Sequence, residues 1–357
     1  MDQPTTIKPP ITFVADKRPN LDRVQQLLAL SAERNHWANG GPVVQLLEQT
    51  LAKAAGVGPG RAVVACSNGT SAMHVLAGLH ALRHGRPLRW AVSAFGFFTT
   101  AIGPFAQSLV LDCDDQGMLD LDKLANTPTD QFDGVCVTNV FGRSSSAQPY
   151  ADFCRQNNKP LILDNALGLF GFDRSAPDTP DEMISLHHTK PWGFGEGGCI
   201  IVPKEDEETA RSLINFGVGI GEEAARYACN AKLSDPAAAY IIDRIEQAGE
   251  WSLANGQQRQ RITTLVASAG LPLTPFMPDP PPGCAQAIFT APHPITEDRL
   301  ANPHLVLRKY YRPPYEQWPD HAADLYARIL NIPCHAGIAT LSEETIVHVL
   351  EQTLGRD

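Results

Sequence analysis

What the chain lacks narrows the field first. No stretch approaches the roughly 20 consecutive apolar residues that cross a bilayer, so no membrane partner is expected. Positive charge is in deficit: 29 Lys and Arg against 39 Asp and Glu leave a formal net charge of -10. A phosphate backbone needs a basic field, so nucleic acid is not the expected partner. An anionic small molecule would have to be met locally, by single Arg or Lys side chains or backbone N–H groups. Among 8 cysteines, at positions 66, 113, 136, 154, 199, 229, 284 and 334, there is no CxxC and no metal-ligand spacing. Several lie in apolar runs, such as Cys136 in Gly134-Val-Cys-Val-Thr138, which reads as buried free thiols rather than a disulfide framework. Met1–Pro10 has no apolar signal core. A cytoplasmic protein without a bound metal is the expectation. No internal repeat or low-complexity tract appears.

What is present suits a globular protein of about two domains: 357 residues, 43% hydrophobic and 19% charged. From residue 60 to 200, strand-length apolar runs alternate with helical patterns, the signature of a sheet with crossover helices. Arg61–Cys66, Trp90–Ser93 and Ser108–Asp112 read as strands, and Met73–His84 as a helix. Gly134–Thr138 and Pro160–Asp164 are apolar on both faces and end in a polar residue, as strands buried on both sides do. Met183–His187 and Gly198–Val202 flank a glycine-rich link and could pair as a returning hairpin. Asp235 to Ser268 reads as one long helix with a break near Gly249, and Pro275–Gly283 as a rigid connector. Strands over Ala285–Thr290 and Val306–Tyr311 and a helix over Ser342–Leu354 follow. The expected division is a large domain, residues 1–235, and a smaller one, residues 236–357.

In an open α/β sheet, ligands collect at the carboxyl ends of the strands, and four polar signals fall there. The turn Ser67-Asn-Gly-Thr-Ser71 joins a strand to a helix, so its backbone N–H groups and helix dipole could cradle a phosphate. A plain capping role fits as well. Asp164 closes a buried strand and needs a charged or hydrogen-bonding partner. A protonated pyridine nitrogen would serve, and so would the start of the next helix. Lys190 follows an apolar strand and precedes glycines, where desolvation could make it a nucleophilic amine; most lysines are only solvated surface charges. The turn Ala94-Phe-Gly-Phe-Phe-Thr-Thr100 offers a ring to stack on a flat ligand, or simply core.

Taken in order, these segments resemble the DegT/DnrJ/EryC1/StrS family of nucleotide-sugar aminotransferases from about Asn35 to Ala239. Asn39-Gly-Gly-Pro42 with Leu47-Glu48 is similar to the opening segment of the family. Ser67-Asn-Gly-Thr-Ser-Ala72 is similar to its phosphate turn, Ser185-Leu-His-His-Thr-Lys190 with Gly195-Glu-Gly-Gly198 to its lysine segment and hairpin, and Cys229-Asn-Ala-Lys-Leu-Ser234 to a later motif. The resemblance implies a fold-type-I α/β architecture with a mostly parallel central sheet flanked by helices, plus a smaller C-terminal α+β domain. It implies pyridoxal 5'-phosphate (PLP) as cofactor, with Lys190 as Schiff-base lysine and Asp164 as partner of the pyridine nitrogen. Asn68, Gly69, Thr70, Ser71 and Ser185 would hold the phosphate, and Phe97 would stack on the ring. Asn230 would reach the phosphate of a neighbouring subunit, which implies a homodimer with composite sites. Amino transfer from an amino acid, expected to be glutamate, to a nucleotide-linked keto-sugar in amino-sugar biosynthesis is the implied activity. A cyclitol ketone acceptor, or a PLP-binding member that no longer catalyses, are the alternatives.

The chain departs from the family pattern in places. Starting at the pyridine partner, the family usually carries Asp-Ala-Ala-Gln or Asp-Ala-Ala-His, and the last residue bonds the ring hydroxyl of the cofactor. Here the run is Asp164-Asn-Ala-Leu167, and the Leu167 side chain cannot make that bond. Leu233-Ser-Asp-Pro236 places a proline that fits only near a helix start. His187 and His188 read as strand-end and turn residues without a catalytic role. The run Leu307-Arg-Lys-Tyr-Tyr-Arg312 is a candidate contact for an anionic nucleotide-sugar or an ordinary exposed edge strand. Trp37 and Asn39 are candidates for the sugar side by resemblance.

Overall fold

A computed structural model describes residues 9–143 and 146–356. Residues 1–8, which make up most of the N-terminal segment read for a signal core, lie outside the described residues. The main sheet has seven strands: β1 (Arg61–Cys66), β2 (Trp90–Ser93), β3 (Leu109–Leu111), β4 (Gly134–Thr138), β5 (Leu161–Asp164), β6 (Asp181–Ser185) and β7 (Gly198–Pro203). Their order is β1-β7-β6-β5-β4-β2-β3. Pairs from β3 to β6 are parallel, while β7 runs antiparallel between β6 and β1. The hairpin read from the glycine-rich link is therefore present, and the α/β architecture expected from the sequence is observed.

Alternation along each strand splits the core. Val63 and Ala65 of β1, with Ile184, Cys199 and Ile201, face helices α1 (Leu21–Arg34), α2 (Pro42–Ala54) and the helix Asp235–Glu246. Val64 and Cys66, with Met183, Ile200 and Val202, face helix α3 (Gly69–His84) on the other side. Both faces are covered, which is why these strands read as unbroken apolar runs. A second sheet of three strands, β8 (Thr274–Pro275), β9 (Gln286–Thr290) and β10 (Ile329–Pro333), packs with the helices Ala248–Ser268 and Glu343–Leu354 around Ile262, Phe289, Leu330 and Val349.

Helix α3 begins earlier than its apolar pattern, at Gly69, because Asn68 caps it: the Asn68 side chain accepts from the Ser71 N–H at 2.8 Å. The long helix read over Asp235–Ser268 is two helices that meet at Gln247, two residues before the expected break. Pro236 sits in the first turn after the Ser234 cap, the one place in a helix where its missing N–H costs nothing. The strand read over Val306–Tyr311 does not form. Arg308 makes one bridge to Asn331, and Tyr311 turns to φ 63, which an extended strand cannot contain. All eight cysteines are free, and Cys229 alone among them is not fully buried. No helix among the described residues is long and apolar enough to cross a membrane.

Candidate active site

The carboxyl ends of the parallel strands gather the residues singled out in the sequence. Thr138 of β4 pairs with Asp164 of β5, and Asp164 with Met183 of β6. One step on, Ser185 of β6 pairs with Gly198 of β7, which pairs with Cys66 of β1, the residue before the 67–71 turn. Two glycines make this crowding possible. A Cβ on Gly198 would lie 2.6 Å from the carbonyl carbon of Asn68 and 2.8 Å from the nitrogen of Gly69. A Cβ on Gly69 would meet the Met183 Sδ at 3.1 Å and the Ser185 Cβ at 3.5 Å. The turn, Ser185 and the hairpin therefore form one packed group. The Thr70 hydroxyl lies 3.5 Å from that of Thr99, just beyond Phe97.

Asp164 is 1% exposed. Its carboxylate accepts from the Ala166 N–H at 3.3 Å and the Thr138 hydroxyl at 3.4 Å, both long. Burial pushes its pKa up to about 6, against the opposing pull of the Ala166 N–H, the Lys190 charge and the Thr138 hydroxyl. A carboxylate in this state is short of a cation. Lys190 is the nearest candidate, yet burial lowers its own pKa while Asp164 pulls it back up. The Lys190 ammonium lies 6.0 Å from the centroid of the Phe97 ring, and that ring is 50% exposed. An amine with a depressed pKa, an under-neutralised carboxylate and an open aromatic face thus border one space. A flat cofactor with a protonated ring nitrogen and a phosphate fits the needs of each.

Behind Asp164 runs a buried polar chain that the sequence did not announce. The Asn139 side chain donates to Asn165 at 2.9 Å, and Asn165 donates to Glu182 at 2.7 Å. Arg174, 1% exposed, closes on Glu182 at 2.8 Å and holds the carbonyl oxygens of Leu169 and Ala55. An Arg in the middle of a strand-to-strand loop gives no local signal of burial. Leu167, at the start of that loop, is half-buried and packs against the apolar cluster of Leu27 and Trp192. Its carbonyl lies against Gly142, where a Cβ would meet it at 2.4 Å.

The turn of Phe97 is held from a distance. Thr100 closes onto the Phe97 carbonyl, from its N–H at 3.0 Å and its hydroxyl at 2.8 Å. The Tyr315 hydroxyl in turn donates to the Thr100 carbonyl at 3.1 Å. Asn230 stands apart from Lys190: it is exposed, and its side-chain oxygen accepts from Lys232 at 2.6 Å. Its neighbour Ala231 accepts from the Ser67 N–H at 2.7 Å, so the segment abuts the 67–71 turn. His187 pairs with the Thr189 hydroxyl at 2.8 Å, and His188 lies edge-on to Phe194. Trp37 is partly exposed, and its carbonyl accepts from the Asp235 N–H at 3.0 Å, while Asn39 takes φ 56 in the adjoining turn. Lys309 of the basic run is turned inward, its ammonium spent on the carbonyls of Ile295 at 2.9 Å and Ala327 at 3.0 Å. That lysine is therefore no anion contact.

The model of the DegT/DnrJ/EryC1/StrS aminotransferase family matches residues 20–352. A dTDP-4-amino-4,6-dideoxy-D-glucose transaminase of Shigella dysenteriae is 23% identical, over 96% of this chain and 99% of that protein. The crystal structure of DesI in the presence of its TDP-sugar product superposes with a TM-score of 0.79 at 22% identity, covering 98% of this chain and 94% of that one. NtdA from Bacillus subtilis with bound cofactor PMP superposes with a TM-score of 0.75 at 17% identity, over 94% and 82% of the two chains.

Proposed function

The chain belongs to the DegT/DnrJ/EryC1/StrS aminotransferase family, and from that membership we propose that it moves an amino group from an amino acid, with glutamate as the expected donor, onto a keto-sugar carried by a nucleotide. The family uses pyridoxal phosphate, whose aldehyde takes up amino groups and whose ring draws electrons from the carbon that loses a proton. The observation that carries the reading is the buried Asp164 carboxylate held near pKa 6 beside a Lys190 whose ammonium is disfavoured.

In this reading Lys190 would hold the cofactor covalently when no substrate is present. Freed by the donor, its amine would take the proton from the donor carbon that bears the amino group and deliver it to the carbon that was the cofactor aldehyde, and burial favours the neutral form that this requires. Asp164 keeps the ring nitrogen protonated. The N–H groups of Gly69 and Thr70 at the start of α3, with the Thr70, Ser71 and Ser185 hydroxyls, receive the phosphate. Phe97 covers the ring. Leu167 would supply no hydrogen bond to a ring hydroxyl. Asn230 and exposed apolar side chains on two segments, Phe98 at 57%, Ile102 at 44%, Phe216 at 59% and Val218 at 66%, support a second copy of the chain closing the site.

Protein loaded with pyridoxal phosphate and treated with borohydride is expected to carry the cofactor on Lys190, read by peptide mass. Addition of glutamate to untreated loaded protein should bleach the visible band as the amino form accumulates. A spectrum inert to every amino acid would overturn the transfer reading.

A further inference from the structure

The segment that carries Lys190 folds with its carbonyl oxygens crowded together. A Cβ on Gly193 would lie 2.1 Å from the carbonyl oxygen of His187 and 2.3 Å from that of Leu186. Within the turn, the Lys190 N–H donates to His187 at 2.8 Å and the Gly193 N–H to Lys190 at 3.0 Å. The remaining oxygens need donors from outside. Trp192 serves Ser185 at 2.9 Å, and Arg244 serves Pro191 at 2.9 Å. One residue serves three carbonyls of the turn, that of Lys190 for a second time: the ammonium of Lys17 donates to the carbonyls of His188 at 2.5 Å, Lys190 at 2.6 Å and Gly193 at 2.6 Å.

An ammonium has three N–H bonds and no acceptor, so three convergent carbonyls satisfy it completely. The half-buried Lys17 leaves water for this geometry, against burial and the positive charge of Arg244, which together bring its pKa to about 7. Such a cost is tolerated where the partners need the cation as much as it needs them. The chain before Lys17 is itself anchored far from the loop. Ile11 bridges Leu305, and His335 meets the Thr12 carbonyl at 2.7 Å. Lys17 is thus the end of a strap fixed at its other end near the three-stranded sheet.

We propose that Lys17 is a positioning residue for the transfer reaction: its ammonium fixes the backbone of the 188–193 turn and so aims the Lys190 side chain at the space bordered by Asp164 and Phe97. Without it, the His188 and Gly193 carbonyls would turn to water, the Lys190 carbonyl would keep only the Gly193 N–H, and the turn would open. The inference rests on the reading that Lys190 carries the cofactor, but its structural half stands on the cofactor-free chain.

The test uses the full chain with Lys17→Met, and Lys17→Arg as the charge-keeping control. Amide hydrogen exchange of cofactor-free protein is expected to rise at least about tenfold over residues 186–197 in Lys17→Met, with residues 329–333 unchanged. In the loaded enzyme kcat should fall at least about tenfold with KM for the amino donor within about threefold, and Lys17→Arg should recover most of kcat. Unchanged exchange in 186–197, or an equal rise in both regions, overturns the proposal. If Lys17→Met does not fold, Lys17→Gln is read by the same exchange criterion, and failure of both to fold overturns local positioning in favour of a general stabilising role. Absence of cofactor from Lys190 in the wild-type protein would sink the functional reading alone, leaving the exchange result to decide Lys17.

Discussion

The backbone N–H of Phe141 donates to the hydroxyl of Tyr311 at 3.0 Å, and both residues hold left-handed backbone, φ 58 and φ 63. Their rings meet edge to face at 4.7 Å. Two non-glycine residues in this region each cost strain that the surroundings must offset. The bond joins the loop after β4, beside Leu167, to the segment that leads back from the second sheet.

Tyr311→Phe is therefore expected to cost about 1–3 kcal/mol, because the Phe141 N–H is left buried without an acceptor. Urea denaturation of cofactor-free protein reads the loss. A change under about 0.5 kcal/mol would mean that the loop relaxes freely and stores no strain.

Gly198→Ala tests the packing of the phosphate turn. The added methyl would meet backbone atoms of Asn68 and Gly69 at 2.6–2.8 Å, and backbone cannot yield as a side-chain tip does. The turn must shift away from Ser185. Affinity for pyridoxal phosphate is expected to fall at least about tenfold, a loss of about 1.4 kcal/mol, measured by titrating the visible band. Retained affinity would place the phosphate elsewhere.

How much of this was legible in the sequence follows from distance along the chain. Strands β1, β2 and β4 were readable at their observed bounds, because burial on both faces leaves a continuous apolar run. Strand β10 was missed: Asn331 and Pro333 interrupt its pattern, and Asn331 is tolerated inside because its side chain donates to Gln286 of β9 at 3.1 Å and accepts from the Tyr310 N–H at 3.1 Å. The helix break was readable from Gly249, which falls in the first turn of the second helix, two residues past the joint at Gln247. At the site, the 67–71 turn, Asp164 and Lys190 each carry a local signal at a strand end, whereas Ser185 was found only through the family resemblance. Lys17 and Tyr315 carry none. They act across 173 and 215 residues, on Lys190 and Thr100, and only the folded chain shows what they touch.

Asp235 is a further case of long-range capping. Its carboxylate, fully buried, accepts from the N–H groups of Val43 at 3.2 Å and Val44 at 3.0 Å and from the Ser31 hydroxyl at 2.5 Å. It thus caps α2 from another helix, and Gly41 has no Cβ because that carboxylate occupies the space. Asp235→Ala should cost about 3 kcal/mol through three stranded donors. Asp235→Asn, which keeps one acceptor oxygen, should cost less. Equal losses in thermal denaturation would indicate that charge rather than acceptor geometry is what α2 requires.

Leu167→Gln restores a hydrogen-bonding side chain at the position where relatives carry one. Its amide should strengthen pyridoxal phosphate binding about fivefold, offset in part because a polar side chain packs less favourably than leucine against the neighbouring apolar cluster. Equilibrium dialysis of the two proteins decides it. An unchanged dissociation constant would show that residue 167 does not face the ring.

Asp164 yields a prediction in which sign matters. Its folded pKa of about 6 lies above the ordinary 3.8, so between these values the folded chain binds more protons than the unfolded chain. Stability of cofactor-free protein should then fall as pH rises from about 4 to 6, by about 3 kcal/mol from this group. Asp133 and Asp181 are instead held below the ordinary carboxylate range, by arginines and, for Asp181, by His80 as well, and give the opposite slope at lower pH. The Asp164 contribution is isolated by subtracting the profile of Asp164→Asn, which has no proton to exchange. Bound cofactor with a protonated ring nitrogen would supply the missing cation and lower the Asp164 pKa, and should remove the falling slope of the difference between the two profiles between pH 4 and 6. A difference profile that keeps its slope with cofactor bound would show that no cation faces Asp164, and the pairing at the centre of the proposed site would have to be abandoned.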